Sequence, residues 1–144
     1  SYKPAGMNAA FTLSAEDHEA ARLLAQSADL RRAGEHMQAE SCLQQAIELK
    51  YDFAEAHLAL GDLYAAAGAD EDALDCYRLA VHFSPHLYNA QLALAAALTR
   101  QQRHDEAATA CHAAIALDEV APSAWFLLGN VRKAAGDLPA AADA

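Results

Sequence analysis

Apolar positions along this chain fall at helical spacing, and the pattern of apolar, small and polar positions repeats every 34 residues without an insertion. The stretch "LALGDLYAAAGADEDAL", residues 58–74, shows the unit clearly. Its first half reads as the end of one amphipathic helix, Gly68 as the stop, and the acids beyond it as the start of the next helix. Gly61 is out of place in that scheme, because a glycine inside a helix costs roughly 0.5–1 kcal/mol relative to alanine. One unit earlier the same place holds Ser27, and later units hold Ala95 and Gly129. All four residues are small, so this is predicted to be where a neighbouring helix comes close.

The register carries further. Gly68 falls on Gly34, Gln102 and Gly136; Ala73 falls on Ala39, Ala107 and Ala141; Ala80 falls on Ala46 and Ala114. The segments are therefore 20–53, 54–87, 88–121 and an incomplete 122–144, each predicted to be a helical hairpin. Gly34, Gly68 and Gly136 suit the left-handed residue that ends a helix. Asp70, Glu71, Asp72, Asp105 and Glu106 suit helix starts, where the macrodipole favours acids. Pro85 closes the second helix of its unit. Leu60, Leu94 and Leu128 at the seventh place, Leu30, Tyr64 and Leu98 at the eleventh, and Leu43 and Tyr77 at the twenty-fourth are the predicted core. Ser14 is predicted to cap a first helix that begins near residue 15, with Asp17 three residues on. Residues 1–13 carry no periodicity and are expected to be a mobile extension to a repeat domain over 14–144.

These spacings resemble the tetratricopeptide repeat family. Leu60, Gly61, Tyr64, Ala73, Tyr77, Ala80 and Pro85 all fall at the family's positions, and Trp125, Leu128 and Gly129 match its W-x2-L-G opening. Gln26, Cys111, Glu119 and Arg132 depart from the pattern, standing where the family has a leucine, an aromatic, a proline and a tyrosine. The resemblance spans residues 20–144 and implies an all-α, right-handed superhelical solenoid of antiparallel helix hairpins, three full repeats with a partial fourth. Pentatricopeptide repeats share the length but bind RNA through basic surfaces, and this chain is acidic.

Composition narrows the function. Of 144 residues, 54% are hydrophobic but only 7% aromatic, an alanine-heavy balance that favours close-packed helices. Twenty acids against ten Lys and Arg leave a formal charge of −10, which speaks against nucleic acid and anionic membrane surfaces as partners. No apolar run approaches the ~18 residues of a membrane span, so no membrane insertion is expected. Cys42, Cys76 and Cys111 form no CxxC pair; unpaired thiols in a reducing, cytoplasmic setting are expected. His82 and His86 have a metal-ligand spacing, but Ser84-Pro85 breaks the helix between them, and His104 and His112 lie too far apart along one helix. No nucleophile elbow, P-loop or zincin motif occurs. Neither a metal nor a cofactor is expected, and the covered region is not expected to be an enzyme.

Function then rests on the first helices, which line the concave wall of such solenoids. Helical geometry turns the fifth, ninth and twelfth to thirteenth places toward one face. The fifth reads Leu24, Leu58, Leu92 and Phe126; the ninth reads Ala28, Asp62, Ala96 and Asn130. Arg31, Arg32 and Arg100 add a basic patch at the later places. Chaperone-tail co-chaperones of this family use Lys, Asn and Arg to hold a C-terminal dicarboxylate, whereas Leu24, Ala28, Ala59, Asn89 and Ala93 stand at those places here. The asparagine ladder of O-linked N-acetylglucosamine transferases is also missing, since the sixth place holds Ala25, Ala59, Ala93 and Leu127. The resulting expectation is a protein–protein interaction scaffold whose groove takes an apolar or amphipathic segment. The alternative is the repeat region of a larger glycosyltransferase, sulfotransferase or methyltransferase, positioning substrate protein. Because no polar capping helix follows "GDLPAAADA", the chain is expected to belong to a longer protein. The incomplete last hairpin is expected to show Phe126, Leu127 and Val131 at its surface and to self-associate. The groove itself is expected to be covered by a partner, a symmetry mate or the chain's own ends, Phe11 and Leu13 among them.

Overall fold

A computed structural model describes residues 13–143 of the chain, with side chains through Gly136. Seven helices follow one another: α1 (Ala15–Arg32), α2 (His36–Leu49), α3 (Ala54–Ala66), α4 (Asp70–Phe83), α5 (Tyr88–Arg100), α6 (His104–Leu117) and α7 (Pro122–Asp143). No strand occurs among the described residues. The fold is all-α, built from helix hairpins. Two compact units meet in sequence between Tyr51 and Asp52: the first holds α1 and α2, the second α3 to α7.

The hairpin turns are made the same way three times. Gly34, Gly68 and Gln102 stand in the left-handed region at φ 82°, 79° and 60°. At each, the N–H of the left-handed residue and that of the next residue donate back into the helix just ended: Gly34 to Arg31 and Glu35 to Leu30, Gly68 to Ala65 and Ala69 to Tyr64, Gln102 to Thr99 and Arg103 to Leu98. This is the Schellman arrangement, and it satisfies carbonyls that the helix end leaves open. The helices that follow two of these turns begin on acids, Asp70, Glu71 and Asp72 in α4 and Asp105 and Glu106 in α6, as the dipole favours. They stop at extended residues, Ser84 before Pro85 and Asp118. The α1 start is a reciprocal capping box, with Asp17 N–H donating to Ser14 Oγ at 3.0 Å and Ser14 N–H to Asp17 Oδ2 at 3.2 Å. The Ser14 backbone and hydroxyl, with Lys50 at 3.3 Å, hold the Asp17 carboxyl below the usual carboxylate range.

Core seats recur at the period. Ala39, Ala73 and Ala107 are fully buried, and so are Ala46, Ala80 and Ala114. Alanine here lets the two helices of a hairpin approach until backbone nearly meets backbone. Leu43, Tyr77 and Cys111 fill the twenty-fourth place, all buried.

Gly61 is explained by what faces it. A Cβ there would lie 2.6 Å from Tyr77 Cε1, 2.8 Å from Cδ1 and 3.2 Å from Cys76 Cβ, so the Tyr77 ring occupies the space a side chain would need. Ser27 holds the equivalent seat in the first unit, buried, and its hydroxyl donates to Leu24 O at 2.6 Å.

The last segment departs from expectation. Gly136 does not turn the chain: α7 runs through it to Asp143 as one helix. Glycine permits a left-handed turn but does not compel one, and the residues around Gly136 continue as helix. Gly129 is exposed and meets nothing within 4 Å, unlike Gly61. Trp125 is 52% and Phe126 73% exposed, but Val131 is buried and Leu127 half-buried, so only one of the three residues expected at that surface is fully there. Residues 1–12, including Phe11, lie outside the described residues; Leu13 is exposed.

Candidate partner-binding face

The fifth place of each first helix behaves alike until the last. Leu24 in α1, Leu58 in α3 and Leu92 in α5 are half-buried, and Phe126 in α7 is exposed. Leu58 and Leu92 both pack against the main apolar cluster of the second unit. They are therefore shared between core and surface. The reason is geometric: a residue one step beyond a buried place on a helix is turned only about 100° from it, so a leucine there reaches sideways into the core.

The ninth place diverges more. Ala28 and Asn130 are exposed and Ala96 is half-buried. Asp62 is not an open polar contact, because the Tyr77 hydroxyl donates to its Oδ1 at 2.7 Å. The same tyrosine that fills the Gly61 seat reaches past it to the carboxylate one residue on. Position-by-position register does not reveal this link; the signal was a glycine followed by an acid in the one hairpin whose twenty-fourth place is tyrosine.

The basic places sit at helix ends. Arg31 and Arg32 close α1, and Arg100 closes α5, where cations complement the C-terminal dipole. Arg32 is exposed and ion-paired to Asp29. Leu24, Ala28, Arg31 and Arg32 belong to the first unit; Leu58, Asp62, Leu92, Ala96, Arg100, Phe126 and Asn130 belong to the second.

Two buried polar side chains escaped the sequence reading. His57 and Gln91 share the fourth place and are 3% and 7% exposed. The His57 ring stacks on Phe83 at 5.6 Å, and the Gln91 amide donates to Pro85 O at 3.1 Å. Both therefore tie a first helix to the segment that ends α4. Their signal was a polar residue where the fourth segment has Trp125.

Little on these helices suits covalent chemistry. Cys42, Cys76 and Cys111 are buried free thiols. Burial, with Asp75 and Asp72 nearby, pushes the Cys76 thiol up to about 11, and burial also pushes Cys111 up. A thiol held protonated is a poor nucleophile. His82 lies on α4 while His86 lies beyond its end, so the helix break separates them. Among the described residues, no group of three or more His, Cys, Asp or Glu could hold a metal, and no helix is long and apolar enough to cross a membrane.

The repeated helix hairpin has counterparts in known proteins. The tetratricopeptide repeat family model matches residues 24–88 and 92–144. No curated protein matches the sequence. Among solved structures, the first such repeat domain of Spaghetti (RPAP3), bound to the HSP90 peptide SRMEEVD, superposes with a TM-score of 0.79 at 17% identity, covering 83% of this chain and 95% of that one. The Sgt2 repeat domain from Aspergillus fumigatus gives 0.77 at 17% identity, covering 84% and 82%. The Thermobaculum terrenum O-GlcNAc transferase gives 0.74 at 21% identity, with 84% of this chain covered but only 23% of that one.

Proposed function

Because the chain belongs to the tetratricopeptide repeat family, we propose that it is a protein-interaction scaffold whose first helices hold an apolar or amphipathic segment of a protein partner. The reading is carried by one observation. In the second unit the fifth place presents Leu58, Leu92 and Phe126 from half-buried to 73% exposed, next to the small Ala96. Such a line gains from being covered, at roughly 25 cal/mol per Å² of apolar surface removed from water. Asn130 and Arg100 would supply polar register at its edges. Leu24 and Ala28 hold the same repeat places in the first unit.

The peptide bound to Spaghetti is SRMEEVD, and this chain carries Leu24, Ala28, Ala59, Asn89 and Ala93 where dicarboxylate clamps place Lys, Asn and Arg. An apolar segment fits these residues better than an acidic tail. A protein partner fits the −10 charge better than nucleic acid. The three unpaired thiols fit a reducing, cytoplasmic setting.

The test is a titration of isotope-labelled protein with amphipathic helical peptides of varied apolar face, followed by amide shifts. Shifts concentrated at Leu58, Leu92, Ala96 and Phe126 support the reading, and Phe126→Glu should weaken binding about tenfold without lowering the melting temperature. Shifts that avoid this face would sink it. Exposed Trp125 and Phe126 also favour self-association, and a monomer by light scattering at high concentration would count against that.

A second reading has one observation in its favour: the O-GlcNAc transferase match sets this fold in less than a quarter of an enzyme. On that reading these repeats position substrate protein for a catalytic domain. The length of the complete gene product decides it.

A further inference from the structure

Three places on the first helices are covered in the first three units and open in the fourth. The fourth place holds Leu23, His57 and Gln91, which are 4%, 3% and 7% exposed, and then Trp125 at 52%. The eighth holds Ser27, Gly61 and Ala95, all buried, and then Gly129, exposed and with nothing within 4 Å of where a Cβ would be. The eleventh holds Leu30 and Tyr64, half-buried, and Leu98, buried, and then Arg132, exposed. In the α3–α4 hairpin the second helix returns along this side, and its Tyr77 ring fills the Gly61 seat. Residues after Gly136 continue α7 instead of turning back along it, and Trp125, Gly129 and Arg132 form one open stripe.

The stripe carries both halves of the contact made at Gly61. Gly129 is the seat, and Trp125, one turn earlier on the same side, is an aromatic ring of the kind that fills such a seat. The indole N–H already donates to Glu119 O at 2.8 Å, so the exposed ring can be covered without orphaning a donor. A face that holds plug and socket together is complementary to itself, which is what a two-fold interface requires. Charge points the same way. The chain carries −10 overall, but residues 120–136 contain Arg132 and Lys133, both exposed, and no acid. Asp118 and Glu119, also exposed, stand just before the other end of α7. Two such helices laid antiparallel bring the cations of each toward the acids of the other.

We propose that two copies of this chain pair through this stripe. Resting on the self-association read above from Trp125, but not on the fifth-place groove, this pairing has a definite register. α7 of each copy lies antiparallel to that of the other, with Trp125 over Gly129 of the partner subunit and Gly129 under Trp125 of the partner subunit. Counting outward from that contact along both helices, Arg132 comes opposite Pro122 of the partner subunit, about one turn from the partner's Glu119 and the partner's Asp118. Phe126 is turned about 100° from Trp125 around the helix and stays free for the groove. One helix against one helix is a small contact, so the pair forms only at high chain concentration.

The chain has one tryptophan, so its fluorescence reports on this face alone. As chain concentration rises, emission should move to shorter wavelength and quenching by acrylamide should fall, in step with the mass read by light scattering. Gly129→Ala separates the single chain from the pair. In one copy the added Cβ meets nothing and the helix gains propensity, so the melting temperature of dilute protein should rise. In the pair the same Cβ stands where the partner's ring must lie, and the dissociation constant should rise about tenfold. Arg132→Glu should weaken pairing about threefold and reduce its sensitivity to salt. Phe126→Glu should leave pairing intact while it weakens peptide binding in the groove, so the two readings fail separately. A monomer at every concentration, a dimer that Gly129→Ala does not weaken, or an indole already shielded in dilute protein would each overturn the proposal, the last because the chain would then cover the stripe itself.

Discussion

The α3–α4 and α5–α6 hairpins answer one packing problem in two ways. In the first, the eighth place is Gly61 and the twenty-fourth is Tyr77, whose ring lies where a glycine Cβ would be. In the second, the same places hold Ala95 and Cys111, both fully buried in the core cluster. The second hairpin adds a methyl on its first helix and lacks the ring on its second, so its pair is the smaller of the two. The same difference extends outward. Tyr77 carries a hydroxyl that reaches Asp62, whereas Cys111 and the corresponding Ala96 make no such link. The first hairpin thus ties its binding face to its core through one side chain. Core size and surface chemistry are not independent choices in a repeat.

The largest effects should come from breaking the fit of Tyr77 over Gly61. Tyr77→Cys empties the seat and should cost about 3 kcal/mol, near the lower end for truncating a buried aromatic. Gly61→Ala alone should cost about 1–2 kcal/mol, because overpacking outweighs the helix propensity that alanine gains. In the Tyr77→Cys background the same Gly61→Ala change should cost at least about 1 kcal/mol less, since the ring is gone and only the approach to Cys76 Cβ at 3.2 Å opposes the gain in helix propensity. Urea denaturation of the four proteins in this cycle measures the coupling. Additive losses would mean that the ring does not occupy the seat.

Next in size is the bond between core and face. Tyr77→Phe keeps the ring over Gly61 and removes only the hydroxyl donated to Asp62, so it should cost about 1 kcal/mol. In the α5–α6 hairpin the matched Cys111→Ala change should not alter peptide affinity, whereas Tyr77→Phe should, by removing the hydroxyl that donates to Asp62. Equal affinity in the two variants would show that Asp62 takes no part in binding.

Much of this architecture was legible because close approach between helices imposes its own period on the residue sizes. Small residues at 39, 73 and 107, and left-handed ends at 34 and 68, follow from backbone geometry and recur wherever the geometry does, and Gln102 takes the same turn without a glycine to mark it. The reach of side chains was less legible. Asp62 stood in an open groove until Tyr77 was seen to extend to it, and Leu58 and Leu92 read as surface until their packing showed them half in the core. Gly136 was misread for a third reason. A glycine marks where a turn is allowed but does not compel one, and α7 continues instead.

The turns give a smaller contrast between the same two hairpins. Gly68 and Gln102 make identical backbone bonds, but glutamine in the left-handed region carries a steric cost that glycine does not. Gln102→Gly should therefore raise stability by about 0.5–1 kcal/mol, and Gly68→Ala should lower it by about 1 kcal/mol. Thermal melts of the two variants check both signs. If Gln102→Gly were neutral, the contact of Gln101 Nε2 with Asp70 O at 3.4 Å would be the feature holding that turn in place.

The smallest effect should be confined to alkaline solution and should again separate the hairpins. Cys76 lies beside the Gly61 seat, its Cβ 3.2 Å from where a side chain would be, so the close approach that admits Tyr77 also buries the thiol. Its folded-state pKa is raised to about 11 by that burial and by Asp75 and Asp72, above an unfolded value near 8.5. The folded chain thus holds the proton more tightly than the unfolded one. Stability from this group is fully present below about pH 8.5 and is lost as pH rises through the folded value. Cys111 is shifted the same way by burial alone, so its share should be lost over a narrower range. Cys76→Ala should flatten the alkaline fall in the urea midpoint more than Cys111→Ala does. An equal flattening would mean that Asp72 and Asp75 add nothing to the burial of Cys76, and that the two hairpins differ in packing but not in electrostatics.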